Sequence, residues 1–401
     1  MGARCLLPVS GGADRLTGEH RDLTGEHPDR VAYLDHAATT PMCAEAVAAM
    51  LPFLADRYGN PSGSHSVARA AQRALDDARE SLARLLGASP GDLVFTSGGT
   101  EADNLAVSGA AAGACTVLCS AVEHPAVLQS CKAAGGLSVG VDHRGVIDLD
   151  ALAEALDEKV RLVSVMLVNN ETGVLQPLAA VVSLVHERAP RALVHTDAVQ
   201  AFAWLDVAGL TRAADLVSVS AHKFGGPKGV GALVARNRAS SLRPILRGGP
   251  QERERRAGTQ NVAGIVAMAA AAEATVRERE QAAMRVGELS TRLVDGIGEA
   301  VAGVHEAVAR DDRIDAICNL GVEGVEAEEL LVVLDELGVC ASAGSACASG
   351  AIEPSHVLLA MGRTVEEAKR HVRLSLGHAT TAADIDLALG AFPEAVERLR
   401  R

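Results

Sequence analysis

Lys223 stands where an apolar run meets a glycine-rich turn. Residues 216–219 predict a buried strand, and Ser220-Ala221-His222-Lys223 follows it, with Gly-Gly-Pro at 225–227. A lysine held at a strand end can have a lowered pKa and can act as a nucleophile and as a base. The turn after it leaves room for a planar ring. We therefore take Lys223 as a candidate for covalent attachment of a cofactor.

Polar or glycine-rich groups also follow the other predicted strands. The apolar runs are residues 92–97, 115–120, 162–168, 192–197, 216–221 and 231–235. The groups at or just past their ends are Gly98-Gly99-Thr100, His124, Asn170, Asp197 with Gln200, and Ser220 with His222 and Lys223. Ligands of open α/β sheets bind at the carboxyl ends of the strands, so we expect these groups to form one site.

Two members of this set indicate pyridoxal phosphate. That cofactor requires a lysine for a Schiff base and a carboxylate against its ring nitrogen, and Lys223 and Asp197 supply both groups. The Gly-Gly-Thr sequence opens a predicted helix, whose free N–H groups suit a phosphate. Such a turn is weak evidence alone, and it gains weight from the other strand ends.

The alternation of strand and helix patterns predicts the fold class. Apolar residues have helical spacing over 64–86, 262–302 and 326–337, and later strands are predicted at 315–322 and 372–377. The sequence TAAD at 381–384 predicts the start of a closing helix. The short apolar runs are typical of a mostly parallel sheet in an α/β protein.

We predict a tail and two domains. Residues 1–30 are polar, contain the repeat LTGEHRD–LTGEHPD, and are expected to be a disordered tail. The large domain is expected over 45–279. Residues 31–44 and 280–401 are expected to form a smaller α+β domain.

Composition excludes several classes of function. The formal net charge of −13 and an aromatic content of 2% argue against direct nucleic-acid binding. The best basic segment, QERERR at 251–256, has alternating charges that predict a solvated, salt-bridged stretch. We expect no membrane span and no signal peptide. The eight cysteines lack metal-site spacing, so we expect no resident metal and a reducing, cytoplasmic location.

A series of motifs over residues 31–395 resembles those of the NifS/IscS-type cysteine desulfurases. These are pyridoxal-phosphate enzymes of fold type I, in the class V aminotransferase group, whose large domain has a seven-stranded sheet flanked by helices. The motifs are YLDHAATTP (33–41), GNPSGSH (59–65), FTSGGTEADNLA (95–106), EHPAVL (123–128), VNNETGVLQP (168–177), HTDAVQ (195–200), SAHKFGGPKGVGAL (220–233), RAGTQN (256–261), SAGSACASGAIEPSHVL (342–358) and RLSLG (373–377).

The resemblance implies a role for each matching residue. Lys223 would hold the cofactor, Asp197 would pair with its ring nitrogen, Gln200 would bind its phenolic oxygen, and His124 would stack on the ring and move protons. Gly99, Thr100, Ser220 and His222 would bind the phosphate, together with Thr259 from the second subunit of a homodimer. Arg373 would bind the substrate carboxylate, assisted by Asn60, and Asn170 would lie beside the ring and substrate.

Cys347, in GSACASG, is the nucleophile that the resemblance implies. Small residues surround it, which is typical of a loop tip. It would take the sulfur of L-cysteine as a persulfide, release L-alanine, and pass the sulfur to an acceptor protein for iron–sulfur cluster assembly or thiolation. A thiolate is required, so its pKa should be lowered. Cys347 could also ligate a cluster during transfer.

Two alternatives of different kinds remain at this point. A selenocysteine lyase or a cysteine β-lyase could use the same fold, and the β-lyase would not need Cys347. A non-catalytic partner protein could keep the fold as a binding platform, but it should have lost the lysine, the aspartate or the cysteine. All three are present.

Overall fold

The computed structural model describes residues 30–111, 116–239, 242–344 and 354–401. Its strands are β1 (Ala32–Tyr33), β2 (Leu93–Thr96), β3 (Thr116–Ser120), β4 (Leu137–Val139), β5 (Val160–Ser164), β6 (Leu193–Asp197), β7 (Leu216–Ser220), β8 (Gly231–Ala235), β9 (Val304–Glu306), β10 (Ile317–Val322), β11 (Val339–Cys340) and β12 (His371–Ser375). Its α-helices are α1 (Ala44–Leu54), α2 (Ser66–Leu85), α3 (Gly99–Ala110), α4 (Pro125–Ala133), α5 (Leu149–Ala155), α6 (Leu178–Arg188), α7 (Val207–Leu210), α8 (Val262–Ala300), α9 (Ala327–Glu336), α10 (His356–Ala360), α11 (Val365–Ala368) and α12 (Ala382–Arg400).

Seven of the strands in these ranges form a central sheet in the order β2-β8-β7-β6-β5-β3-β4. The pairs from β7 to β4 are parallel, and β8 is antiparallel to both of its neighbours. Strand β2 therefore runs in the same direction as β7. As a result, the carboxyl ends of β2, β3, β5, β6 and β7 share one edge of the sheet. The predicted α/β fold with a mostly parallel sheet is confirmed.

A smaller sheet lies towards the end of the chain. Strands β12, β10 and β9 pair antiparallel, and β1 pairs in parallel with β11. Single bridges join Asp35 to Ser375 and Ser342 to Arg373, which connects the two groups of strands. The segment around β1 thus packs with the C-terminal part of the chain.

Helix α8 connects the two sheets. It is continuous from Val262 to Ala300 and packs against α1, α2 and α12. The domain boundary predicted at 279/280 lies inside this helix, and the division into two domains stays a prediction. No helix in the described ranges is long and apolar enough to span a bilayer.

Several element bounds differ from the sequence predictions. Strand β5 ends at Ser164, although the N–H groups of Val165 and Leu167 still donate to β6 carbonyls. The edge strand β4 was missed because it is short and two of its three residues are exposed. The predicted cap of the closing helix is confirmed, since Thr381 and Asp384 form a capping box at the start of α12.

The prediction of a solvated, salt-bridged stretch at 251–256 is right about the salt bridges and wrong about two residues, which are buried. Glu252 is 6% exposed and Arg255 is 8% exposed. Strand β2 is an edge strand, and the side chain of Glu252 accepts the N–H of Phe95 at 3.0 Å, while Arg255 donates to the carbonyl of Gly91 at 2.7 Å. The alternating charges did not indicate this role in binding the backbone at β2, because β2 is far away in the sequence.

Candidate active site

A cavity of about 370 Å³ opens at the carboxyl edge of the central sheet. Its lining includes most of the residues that the sequence singled out: Gly99, Thr100, His124, Asn170, Asp197, Gln200, Ser220, His222, Lys223 and Arg373. They meet there because β2, β3, β5, β6 and β7 all end at this edge, and β12 supplies Arg373 from the opposite side.

Lys223 follows β7 in a short 3₁₀ turn and extends into the cavity. Its Nζ donates hydrogen bonds to the carbonyl oxygens of Ala37 and of Ala38, the latter at 2.8 Å. Burial, followed by the nearby charge of Arg373, lowers the pKa of Lys223 to about 8. The neutral, nucleophilic amine is therefore far more populated near neutral pH than in an ordinary lysine.

Asp197 ends β6 and is buried. Its Oδ1 accepts the N–H of Val199 at 2.8 Å, and burial raises the pKa of its carboxyl group, with His124 opposing the change. Gln200 lies in the next turn and donates from Nε2 to the carbonyl of Ala37 at 2.8 Å. A cationic ring nitrogen beside Asp197 would supply the positive partner charge that stabilises a buried carboxylate.

The turn between β2 and α3 has the features of an anion-binding site, called the anion seat below. Gly98 has a φ of 151°, which favours glycine, and α3 begins at Gly99 with the unpaired N–H groups of a helix start. The buried Oγ of Ser220 has no hydrogen-bond partner within the described chain. A phosphate would satisfy both the helix start and this hydroxyl.

His124 and Asn170 close the sides of the cavity. His124 caps α4, where its Nδ1 accepts the N–H of Ala126 at 3.1 Å, so Nε2 carries the ring proton when the imidazole is neutral. Burial lowers the pKa of His124 and favours that neutral form. The backbone of Asn170 accepts a hydrogen bond from Arg373.

Arg373 projects from β12 and is 4% exposed. Nη1 donates to the carbonyl of Asn170 at 2.8 Å, and Nη2 donates to Oδ1 of Asp35 at 2.7 Å. Its Nε is buried without a hydrogen-bond partner in the described chain. The guanidinium is thus fixed in direction and keeps donors for a further acceptor, which suits a substrate carboxylate.

His222 has a partner of its own. Its Nδ1 lies 3.1 Å from Oγ1 of Thr39, and burial lowers its pKa to about 4. The imidazole is therefore neutral at neutral pH. It can bind an anion as a hydrogen-bond donor but not as a cation.

Three predicted residues are not placed in the cavity. Asn60 caps an exposed turn by accepting the N–H of Ser62, and Thr259 is exposed; neither lies among the lining residues that the structure describes. Cys347 lies outside the described residues. The chain that leads to it is described as far as Gly344, and both Ser342 and Gly344 line the cavity.

Sequence reasoning missed Asp35, Asp103 and Glu171. Asp103 lines the cavity from the second turn of α3, with an Oδ1 that has no hydrogen-bond partner in the described chain. Helical spacing from Thr100 could have indicated it, since positions i and i+3 share a face. The partners of Asp35 and Glu171 are far away in the sequence, so only the fold identifies them.

The residues of the cavity fit pyridoxal phosphate. A partly neutral lysine amine and a buried carboxylate line the same space, and an unpartnered hydroxyl adjoins a helix start. The cofactor would provide an aldehyde for the lysine amine, a cationic ring nitrogen for the carboxylate, and a phosphate for the hydroxyl and the helix start.

Comparisons with known proteins agree with this geometry. Residues 32–388 match the family described as aminotransferase class-V. A cysteine desulfurase of Cereibacter sphaeroides is 43% identical, with 92% of this chain and 96% of that protein covered. Cysteine desulfurase IscS of Dictyoglomus turgidum is 39% identical, covering 92% of this chain and 96% of its own.

The fold comparison gives the same result. The solved structure of a NifS-like protein superposes with a TM-score of 0.86 and 34% identity, covering 92% of this chain and all of that one. Family and fold therefore agree over nearly the whole described chain, and the protein belongs to the class-V aminotransferase family, in its group of NifS/IscS-type cysteine desulfurases.

Proposed function

We propose that this protein is a pyridoxal-phosphate-dependent cysteine desulfurase that converts L-cysteine to L-alanine and transfers the sulfur to Cys347. One observation carries the proposal. The cavity that holds Lys223 and Asp197 is also lined by Gly344, where the described chain leads towards Cys347. The proposed cofactor site and the last described residues before Cys347 therefore line one space.

The residues of the chain would hold the cofactor as follows. Lys223 would be the attachment point, Asp197 would pair with the ring nitrogen, Gln200 would bind the phenolic oxygen, and His124 would stack on the ring. Gly99, Thr100, Ser220 and His222 would bind the phosphate. When bound, the cofactor withdraws electrons from the substrate carbon next to the amine.

The side chains then act on the substrate. Arg373 would bind the carboxylate of L-cysteine, with Asn170 and Asn60 beside it, and this fixes the direction of the substrate thiol. Burial lowers the pKa of Lys223 to about 8, so its amine can exchange protons near neutral pH. Burial also lowers the pKa of His124, so its imidazole is held neutral and can donate a hydrogen bond from Nε2.

The sulfur transfer balances without an added oxidant. The Cys347 thiolate attacks the sulfur of the substrate, a sulfur–sulfur bond forms, and the carbon–sulfur bond breaks with its electron pair left on carbon. A proton on that carbon completes L-alanine, and Cys347 keeps a persulfide. A sulfur-acceptor protein, such as an iron–sulfur scaffold or a thiolation enzyme, would then take the outer sulfur.

We also propose a homodimer. Thr259 is exposed and is not among the described residues that line the cavity of its own chain, so a phosphate contact by this residue would come from a second copy. We further propose a division into a large domain, 45–279, and a small domain, 31–44 with 280–401, which would carry the Cys347 segment.

The test is the amount of alanine formed from L-cysteine in the presence of a thiol reductant. We expect alanine from the native protein and almost none from Cys347→Ala. Pyruvate in place of alanine, unaffected by the substitution, would instead indicate a β-lyase. Selenocysteine supplied in competition measures the preference between the two substrates.

A further inference from the structure

The segment 251–256 has an unusual backbone. Glu252, Arg253 and Glu254 have φ values of 48°, 56° and 65°, in the left-handed region that residues with a Cβ avoid. Consecutive residues of this kind persist only where the surroundings hold them. The hydrogen bonds that hold this turn therefore indicate why the unfavourable backbone conformation is kept.

Glu252 is the centre of those contacts. Its Oε2 accepts the N–H of Phe95 on β2 at 3.0 Å, and its Oε1 accepts Nη2 of Arg79 on α2 at 2.7 Å. The same Oε1 accepts Nε2 of Gln260 at 3.2 Å. The side chain is 1% exposed, so these three donors hold a buried carboxylate between the sheet edge, α2 and the next segment.

The turn fixes the chain on both sides of Thr259. Oε1 of Gln251 accepts the N–H of Gly258 at 3.0 Å, and Glu252 binds the side chain of Gln260. Thr259 lies between these two anchored neighbours and is itself exposed. The hydrogen bonds therefore hold the chain on both sides of an exposed threonine.

A further ion pair ties this segment to the anion seat of the same chain. Arg256 contacts both oxygens of Glu101, at 2.8 and 3.2 Å, and Oε2 of Glu101 accepts the N–H of Ser97 at 2.6 Å. Ser97 directly precedes the Gly98-Gly99-Thr100 turn. The segment of Thr259 and the phosphate turn are therefore connected by side chains.

We propose that Glu252 is a positioning residue, which holds Thr259 for contact with the cofactor phosphate of a second copy of this chain. The proposal rests on the proposed function, in which Thr259 acts across the dimer. Glu252 reaches no cofactor itself. Its effect passes through the turn that it stabilises and through Gln260.

Glu252→Gln is the test variant. Both carboxylate oxygens of Glu252 accept hydrogen bonds, whereas an amide has a single oxygen and would place its NH₂ against a donor. Glu254→Gln is the matched control, because Glu254 lies in the same turn, also has a positive φ, is exposed and loses the same charge. Thr259→Ala serves as the reference for loss of the phosphate contact.

The measurement is the rate at which the holoenzyme loses its lysine-linked cofactor absorbance in the presence of a carbonyl-trapping reagent and inorganic phosphate. We expect Glu252→Gln and Thr259→Ala each to lose the cofactor about tenfold faster than native protein, the size expected for one hydrogen bond to a charged group. The double variant should be no faster than either single one, since both remove the same contact. Glu254→Gln should match the native protein.

Mixed dimers separate positioning from damage to the fold. In a dimer of a Glu252→Gln chain with a Lys223→Ala chain, the single lysine-bearing site receives Thr259 from the chain with an intact Glu252. That site should retain its cofactor as native protein does. If it loses the cofactor as fast as the Glu252→Gln homodimer, Glu252 acts within its own subunit and the proposal is overturned.

Two other outcomes are decisive. Native retention by Glu252→Gln, with rapid loss by Thr259→Ala, overturns the role of Glu252 and leaves the proposed dimer site intact. Native retention by Thr259→Ala overturns both the role of Glu252 and the contact across the dimer. Alanine formation by native protein would still stand as an independent test of the desulfurase function.

Discussion

Nη2 of Arg373 lies 2.7 Å from Oδ1 of Asp35, and this ion pair joins the strand that carries the proposed carboxylate-binding residue to the segment just after β1. The guanidinium is 4% exposed and is also anchored to the carbonyl of Asn170. Asp35 thus holds Arg373 in one direction, with the unpartnered Nε left as a donor.

Arg373→Lys should weaken substrate binding more than turnover. A lysine has no planar fork, so it cannot keep Asp35 and Asn170 and also bind a carboxylate through two parallel hydrogen bonds. We expect KM for L-cysteine to rise about tenfold or more, the effect of losing a charge-assisted hydrogen bond. Steady-state alanine formation measures both constants. An unchanged KM in Arg373→Lys and in Arg373→Ala would contradict the assignment.

The lowered pKa of Lys223 predicts the pH dependence of cofactor attachment. Burial favours the neutral amine, so the reactive form should appear as pH rises through about 8 rather than above 10. The rate of pyridoxal phosphate attachment to cofactor-free protein, trapped with borohydride and located by peptide mass spectrometry, should rise over pH 7–9. Lys223→Ala is the control and should show no labelled peptide at this position. A rate that keeps rising to pH 10.5 would contradict the shift.

We expect Asp103→Asn to fold and to be more stable than the native protein, by a difference in unfolding free energy that grows as pH rises. Burial, followed by the charges of Asp197, raises the pKa of Asp103, so the native state binds its proton more tightly than the unfolded state does. The contribution of the protonated Asp103 carboxyl group to the free energy of unfolding is therefore fully present below pH 3.8. It is lost as pH rises through the native pKa. Asparagine resembles the protonated acid and removes that loss.

Urea unfolding of the holoenzyme at pH 5 and pH 8 measures this effect. The difference in unfolding free energy between Asp103→Asn and native protein should be larger at pH 8. Asp103→Leu is the control for loss of polarity, because it removes the hydrogen-bonding capacity as well as the charge. A difference that shrinks with rising pH would show that Asp103 is ionised in the native state.

Local sequence signals identified most of this site because it is built from strand ends. Lys223, Asp197 and the Gly-Gly-Thr turn each follow or end an apolar run, and parallel strands bring such ends together without further information. The pattern needs no knowledge of side-chain contacts. It also predicted α2 and α8 closely, since amphipathic spacing over many turns is a strong signal.

Pairs that depend on the tertiary fold could not be predicted in this way. Asp35 meets Arg373 from the opposite end of the chain, and Glu252 is buried only because β2 is an edge strand whose N–H needs an acceptor. Alternating charges around Glu252 are typical of a solvated stretch, but Glu252 itself is buried against the sheet edge. The edge strand β4 lacked an apolar run because solvent covers two of its residues.

Glu171 lies near described residues on both sides of the segment that contains Cys347. Its Oε2 accepts a hydrogen bond from Oγ of Ser355 at 2.5 Å, and a Cβ added to Gly344 would lie 3.0 Å from the same oxygen. Glu171 is 2% exposed, and its backbone is fixed by Asn169 and Asn319. The Glu171 side chain therefore binds Ser355 and lies close to Gly344, the described residues on either side of the segment that contains Cys347.

Glu171→Ala should lower kcat for alanine formation with little change in KM, because Arg373 still binds the substrate while the thiol is less well placed. A loss of about tenfold corresponds to one buried hydrogen bond to a charged group. Glu171→Gln keeps an oxygen that can accept from Ser355 and should recover most of the rate. Ser355→Ala should resemble Glu171→Ala, since each removes one side of the same hydrogen bond. Equal rates for all three variants and the native enzyme would show that this contact does not place Cys347, whereas a parallel rise in KM would indicate damage to the substrate site.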